Sequence, residues 1–229
     1  MENSAIGEKI LEVKVAKSEK QEFACRLFSS FLFILVAILL FLVPYWAFFA
    51  ICWSTYVFLL YEIFSRKIKG KMLLRSAMAL FCGLGIYSFI YCLTHLGQWS
   101  CMYLICISSF TDIGAYSFGK LLKGPKLCPK ISPKKTWAGL FGGVFFGNLA
   151  VFCLEASFHP MEKVFMVNFW TIQLIVFASI AGDLLESWFK RRLKVKDMGN
   201  LFPGHGGVMD RLDSLLLASM VLAAMNKLY

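Results

Sequence analysis

Seven apolar runs, each close to the length of a bilayer core, divide this chain and restrict its fold before any motif is considered. They cover residues 27–43, 46–64, 76–94, 99–118, 137–154, 169–187 and 212–228. In hydrocarbon every backbone amide and carbonyl must find its partner within the protein, so runs of this length fold as helices. The prediction is an all-α, polytopic integral membrane bundle of about seven transmembrane helices. Composition agrees, since 59% of the 229 residues are hydrophobic and the mean hydropathy is +0.66, values foreign to an ordinary soluble domain. Several runs are near the short end of the spanning range, so one or two of them are candidates for a tilted or only partial insertion. Trp46, Trp99, Trp137, Trp170 and Trp188 stand near run ends, where interfacial anchors sit.

Charge divides the same way. The net charge is +10, and all but two of the 24 Lys and Arg fall within 1–26, 65–75, 119–136 and 188–211. Lys163 and Lys227 are the exceptions. This alternation places the N-terminus in the cytoplasm and the C-terminus outside. Basic clusters set between apolar runs suit anionic lipid or nucleotide phosphate, not nucleic acid. Residues 1–26 read as a cytoplasmic segment, either amphipathic (Ile6, Ile10 and Val13 keep a helical rhythm) or disordered. Residues 27–229 form the transmembrane domain that carries the chemistry, chiefly within 108–137 and 182–214. The first run follows a long charged segment and precedes no small-residue cleavage site, so it reads as a retained span. The eight cysteines show neither a CxxC pair nor zinc spacing, and most lie in apolar runs as small buried hydrophobes. Gly139, Gly142, Gly143 and Gly147 in the fifth run are spaced for close helix packing.

The polar residues of the second half point to chemistry. Asp112, Asp183, Asp197, Asp210 and Asp213 are the five aspartates of the chain. Asp112 lies inside the fourth run, where a charged carboxylate needs a partner or water. In the loop 130–137, Ser132, Lys134, Lys135 and Thr136 suit a phosphate-rich ligand, with Pro133 stiffening the backbone. On a helix Asp183, Glu186/Ser187 and Lys190 share one face, and Asp210 shares a face with Asp213. If the sixth and seventh helices pack together, Asp183 meets Asp210, and carboxylates that close repel unless a divalent cation neutralises them. Magnesium suits such a site, because it takes a few carboxylates and completes its shell with water and phosphates. Gly204-His205-Gly206-Gly207 offers backbone amides to phosphate oxygens, and His205 is placed to donate to a phosphate or move a proton. The outline is a metal-dependent phosphoryl or nucleotidyl transfer site.

These residues also carry a resemblance. Ser187-x-x-Lys190-Arg191, Lys196-Asp197, Pro203-Gly204-His205-Gly206-Gly207 and Asp210-Arg211-x-Asp213 resemble, element by element, the signature of the phosphatidate cytidylyltransferases, or CDP-diacylglycerol synthases. Thr111-Asp112 through Lys120 and Ser132 through Trp137 resemble that family's upstream motifs, so the likeness covers roughly 105–215. It implies an all-helical membrane enzyme that joins CTP to phosphatidic acid with magnesium, giving CDP-diacylglycerol and pyrophosphate. It further implies Asp183, Asp210, Asp213, His205 and Lys190 as catalytic residues. Asp183 and Asp210 become the metal-holding pair, with Asp112 beside them and Asp197 in support. Arg191, Lys196 and Arg211 contact phosphates, and Ser132, Lys134, Lys135, Thr136, Gly206 and Gly207 complete substrate binding. The implied partners are CTP, phosphatidic acid and the bilayer, without nucleic acid, and a homodimer is one oligomeric state left open. A compact chain without organelle-targeting features suggests a bacterial cytoplasmic membrane, multi-pass, and the charge alternation sets the site facing the cytoplasm. Ala138 departs from the Glu of many relatives, and the N-terminal half is short for the family. The rival readings are a CTP-dependent polyprenol or phytol kinase and, from another class, a transporter lined by Asp112, Asp183 and Asp210.

Overall fold

Helix follows helix because the apolar runs leave the backbone no other partner. The computed structural model describes residues 44–65, 71–157, 168–195, 198–199 and 207–228. The N-terminal segment 1–26 and the first apolar run lie outside them. The described helices are α1 (Tyr45–Ile63), α2 (Met72–Leu96), α3 (Gln98–Leu121), α4 (Trp137–Ser157), α5 (Phe169–Leu193) and α6 (Met209–Leu228). The first five are long and apolar enough to cross a membrane. At 25 residues, α2 reaches about 37 Å, more than a hydrocarbon core. The twenty residues of α6 include Asp210, Arg211, Asp213 and Lys227, which keeps it out of that class.

The all-α expectation needs one amendment. Between α3 and α4, β1 (Lys126–Cys128) pairs antiparallel with β2 (Ser132–Thr136), Lys126 opposite Thr136 and Cys128 opposite Ser132. A polar connection of this length must satisfy its own backbone groups, and folding back on itself does so. A second difference concerns α5, which continues past the apolar run to Leu193. Lys190, Arg191 and Arg192 fill its last turn, where cations complement the helix dipole, and Lys194 closes it at φ 60°. Gly97, at φ 83°, alone separates α2 from α3. A left-handed backbone of that kind suits glycine.

Close approaches fix the bundle. The most extensive helix contact joins α3 to α4, and it runs along the glycines singled out in the sequence. A Cβ on Gly142 would press on the Phe118 side chain and the Gly114 carbonyl, and one on Gly143 would meet the Thr111 carbonyl at 3.1 Å. The next most extensive joins α5 to α6, where a Cβ on Gly182 would meet the Asp213 carbonyl at 2.5 Å and Ser214 Cα at 3.1 Å. Small residues let helix backbones approach this closely in lipid. Asn148 and Gln173 tie α4 to α5, the Gln173 amide donating to Asn148 Oδ1 at 2.6 Å. Inside this frame Met78, Leu93, Leu104, Ile175 and Leu222 are fully buried. Outward-facing Leu73, Trp46 and Phe152 are 87%, 74% and 69% exposed, an apolar surface suited to lipid.

Candidate active site

The crossing at Gly182 determines what meets. Asp183 follows it on α5, Glu186 lies one turn further on, and Asp213 faces them from α6. Oxygens of Asp183, Glu186 and Asp213 all lie within 4.8 Å of one another. Glu186 is 1% exposed and Asp213 6%. Two lysines stand on the cluster: Lys135 Nζ is 2.6 Å from Asp183 Oδ2, and Lys190 Nζ is 2.5 Å from Glu186 Oε2. Glu186 Oε1 is buried with no hydrogen-bond partner among the described residues. A buried carboxylate oxygen left unsatisfied among other carboxylates is costly. A hard divalent cation would satisfy it, so the donor set fits a divalent metal ion.

Asp210 has a different post. Its Oδ1 accepts from Lys190 Nζ at 2.7 Å, and its Oδ2 accepts from the Gly207 amide at 2.6 Å and the Met198 amide at 3.2 Å. Burial alone would raise this carboxyl, but Lys190 and the Gly207 amide hold it below the ordinary carboxylate range. The sequence expectation set Asp210 beside Asp183. The structure seats Asp210 on Lys190 and brings Asp213 and Glu186 to Asp183, because Gly182 meets the α6 backbone at Asp213, one turn beyond Asp210. Asp112 accepts from the Ser214 hydroxyl at 3.2 Å and stays outside the three-acid cluster.

The hairpin gives its residues different settings. Lys135 turns in to Asp183, while Lys134 is exposed. Thr136 is buried, and its hydroxyl accepts from the Gly139 amide at 3.1 Å, capping α4. Ser132 opens β2 opposite Cys128. Arg191 Nε donates to the Ile131 carbonyl at 3.2 Å, fastening the end of α5 to the hairpin turn. Gly207 serves Asp210 through its amide. Lys196, Asp197, His205 and Gly206 lie outside the described residues.

Two cavities meet at Asp112. A small one of about 40 Å³ is lined by Asp112, Lys135, Thr136 and Asp183. A larger one of about 280 Å³, between α1, α2, α3 and α6, has walls such as Phe48, Ile86, Phe89 and Leu215, together with Asp112, Arg211 and Ser214. Asp112 therefore meets Lys135 and Asp183 in one cavity and largely apolar walls in the other. Glu186 and Ser214 were not among the expected site residues. Glu186 has a legible signal, three residues after Asp183 on one helix face; Ser214 has none.

The chain is similar in sequence to known proteins over most of its length. The cytidylyltransferase family model matches residues 8–229. A phosphatidate cytidylyltransferase of Rickettsia bellii is 40% identical over 141 residues, 58% of this chain and 60% of that protein. The Pseudomonas aeruginosa protein of the same name is 44% identical over 114 residues, 50% of this chain and 42% of its own length. That of Brucella suis is 43% identical over 121 residues, 53% and 44% respectively. The chain thus spans between about two fifths and three fifths of the curated relatives it matches.

Proposed function

The chain belongs to the cytidylyltransferase family, and on that premise we propose that it transfers the cytidylyl group of CTP to phosphatidic acid, forming CDP-diacylglycerol and releasing pyrophosphate. The observation that carries the reading is the cluster of Asp183, Glu186 and Asp213 under Lys135 and Lys190, with Asp112 lining both the small cavity at Asp183 and a largely apolar one. A water-borne nucleotide and a membrane lipid can meet there.

An oxygen of the lipid phosphate attacks the α-phosphorus of CTP, and the bond from that phosphorus to the bridging oxygen of the β-phosphate breaks. A phosphate monoester is already a nucleophile, so the protein mainly positions both substrates and offsets their charge. Asp183, Glu186 and Asp213 would hold magnesium, which when bound supplies Lewis-acid stabilisation to the reacting phosphates. Lys135 and Lys190 lend positive charge to the triphosphate. Asp210 keeps Lys190 and the Gly207 and Met198 amides in place. Arg211 and the larger cavity receive the lipid, the acyl chain lying against Phe48, Ile86 and Phe89. His205, Lys196, Arg191 and Gly206 complete the phosphate contacts. The same reading puts the chain in a bacterial cytoplasmic membrane, with seven spans from a cytoplasmic N-terminus, residues 1–26 as a separate segment and the site facing the cytoplasm; its oligomeric state stays open.

Purified protein with phosphatidic acid, magnesium and CTP labelled at the α-phosphate tests the reaction. Label must enter the lipid as pyrophosphate is released. Label that remains in CDP while an alcohol acceptor gains the γ-phosphate would instead indicate a lipid kinase.

A further inference from the structure

Glu62 lies in the last turn of α1, only 4% exposed, far in sequence from every residue of the cluster. Its Oε1 accepts from the Val208 amide at 3.0 Å and its Oε2 from the Met209 amide at 3.1 Å. These amides open α6, where the first N–H groups have no partner within the helix. A carboxylate is also favoured there by the helix dipole. Two glycines close around it, since a Cβ on Gly199 or Gly207 would run into the Glu62 carboxylate. The residues they flank face Asp210 from the other side: the Met198 and Gly207 amides both donate to its Oδ2. Both ends of the 198–209 connection are thus gathered between two carboxylates, Glu62 on α1 and Asp210 on α6.

We propose that Glu62 is a positioning residue for the reaction proposed above, on which this inference rests. It clamps the 198–199 and 207–209 backbone to α1, so that Asp210 presents Lys190 to Glu186 in the three-acid cluster. Glu62 itself touches no member of that cluster in the described contacts; it acts through backbone amides.

The clamp is tested on the full chain in lipid nanodiscs by hydrogen exchange and by steady-state kinetics with CTP. Glu62→Gln keeps the shape and one acceptor oxygen but sets an amide donor against a backbone N–H. Glu62→Ala removes both acceptors. Exchange in peptides covering 198–209 is expected to rise in both variants, more in the alanine, while the rest of the bundle is unchanged. The kcat is expected to fall about 10- to 100-fold in the alanine variant, with KM for CTP changed much less. Gly207→Ala should act alike, and adding it to Glu62→Ala should cost little further, because the carboxylate it collides with is gone. Exchange is read without any substrate, so a change there with no cytidylyl transfer in the wild type would sustain the clamp and sink the reaction. Wild-type exchange at 198–209 in a folded Glu62→Gln and a kcat within twofold of wild type would overturn the clamp, as would fully additive losses in the double variant.

Discussion

Lys190 stands between two acids, 2.5 Å from Glu186 and 2.7 Å from Asp210, with 15% of its side chain exposed. Replacing it leaves both carboxylates without their cation. Lys190→Met should therefore cost about 3 kcal/mol of stability, read as a lower thermal midpoint in detergent, and should abolish transfer. Asp213→Asn should behave in the opposite way. It removes one of three mutually repelling acids, so the metal-free protein should be at least as stable as wild type. Transfer should nevertheless fall by about 100-fold or more, and magnesium, which should raise the wild-type midpoint by binding only the folded state, should no longer do so. A midpoint raised equally by magnesium in both proteins would place the ion elsewhere. Asp210 carries a sign of its own. Its carboxyl is held below the ordinary range, so its contribution to stability is complete at neutral pH and is lost only as pH falls through that lowered value.

At the scale of elements, the site depends on how closely α5 meets α6. A Cβ at Gly182 would lie 2.5 Å from the Asp213 carbonyl, so Gly182→Ala must part the helices just where Asp183 and Asp213 meet. The expected outcome is a kcat reduced about 10-fold or more with a nearly unchanged KM for CTP; wild-type kcat would show that the crossing has slack. The helices were legible because apolar length and backbone satisfaction leave little choice. Their ends were less so: α5 runs on through Lys190–Arg192 because charged residues at a rim continue a helix as readily as they end one. The hairpin was not legible at all. A three-residue strand facing Ser132–Thr136, with a proline in it, has no alternation long enough to register as a strand.

For the whole molecule, the acids and bases of the site were legible as a group, because charge in a greasy chain is conspicuous. Which of them meet was not. Asp210 and Asp213 share a helix face, and only the crossing at Gly182 decides that Asp213 joins Asp183. Glu62 lies 146 residues from Val208, and no spacing rule reaches across that distance. Sidedness can be tested directly. In a background without reactive cysteines, Lys134→Cys and Lys194→Cys should react with an impermeant maleimide from the same side of a vesicle, the side from which CTP is used, and Thr94→Cys from the other. Labelling of all three from one side would contradict the bundle's placement in the membrane. In the proposed reaction Asp183, Glu186 and Asp213 would hold the divalent cation that offsets charge on the reacting phosphates. The most direct test of this claim is the magnesium dependence of transfer in wild type and Glu186→Gln. The half-saturating concentration should rise about 10-fold or more in the variant; an unchanged magnesium curve with full activity would contradict the claim.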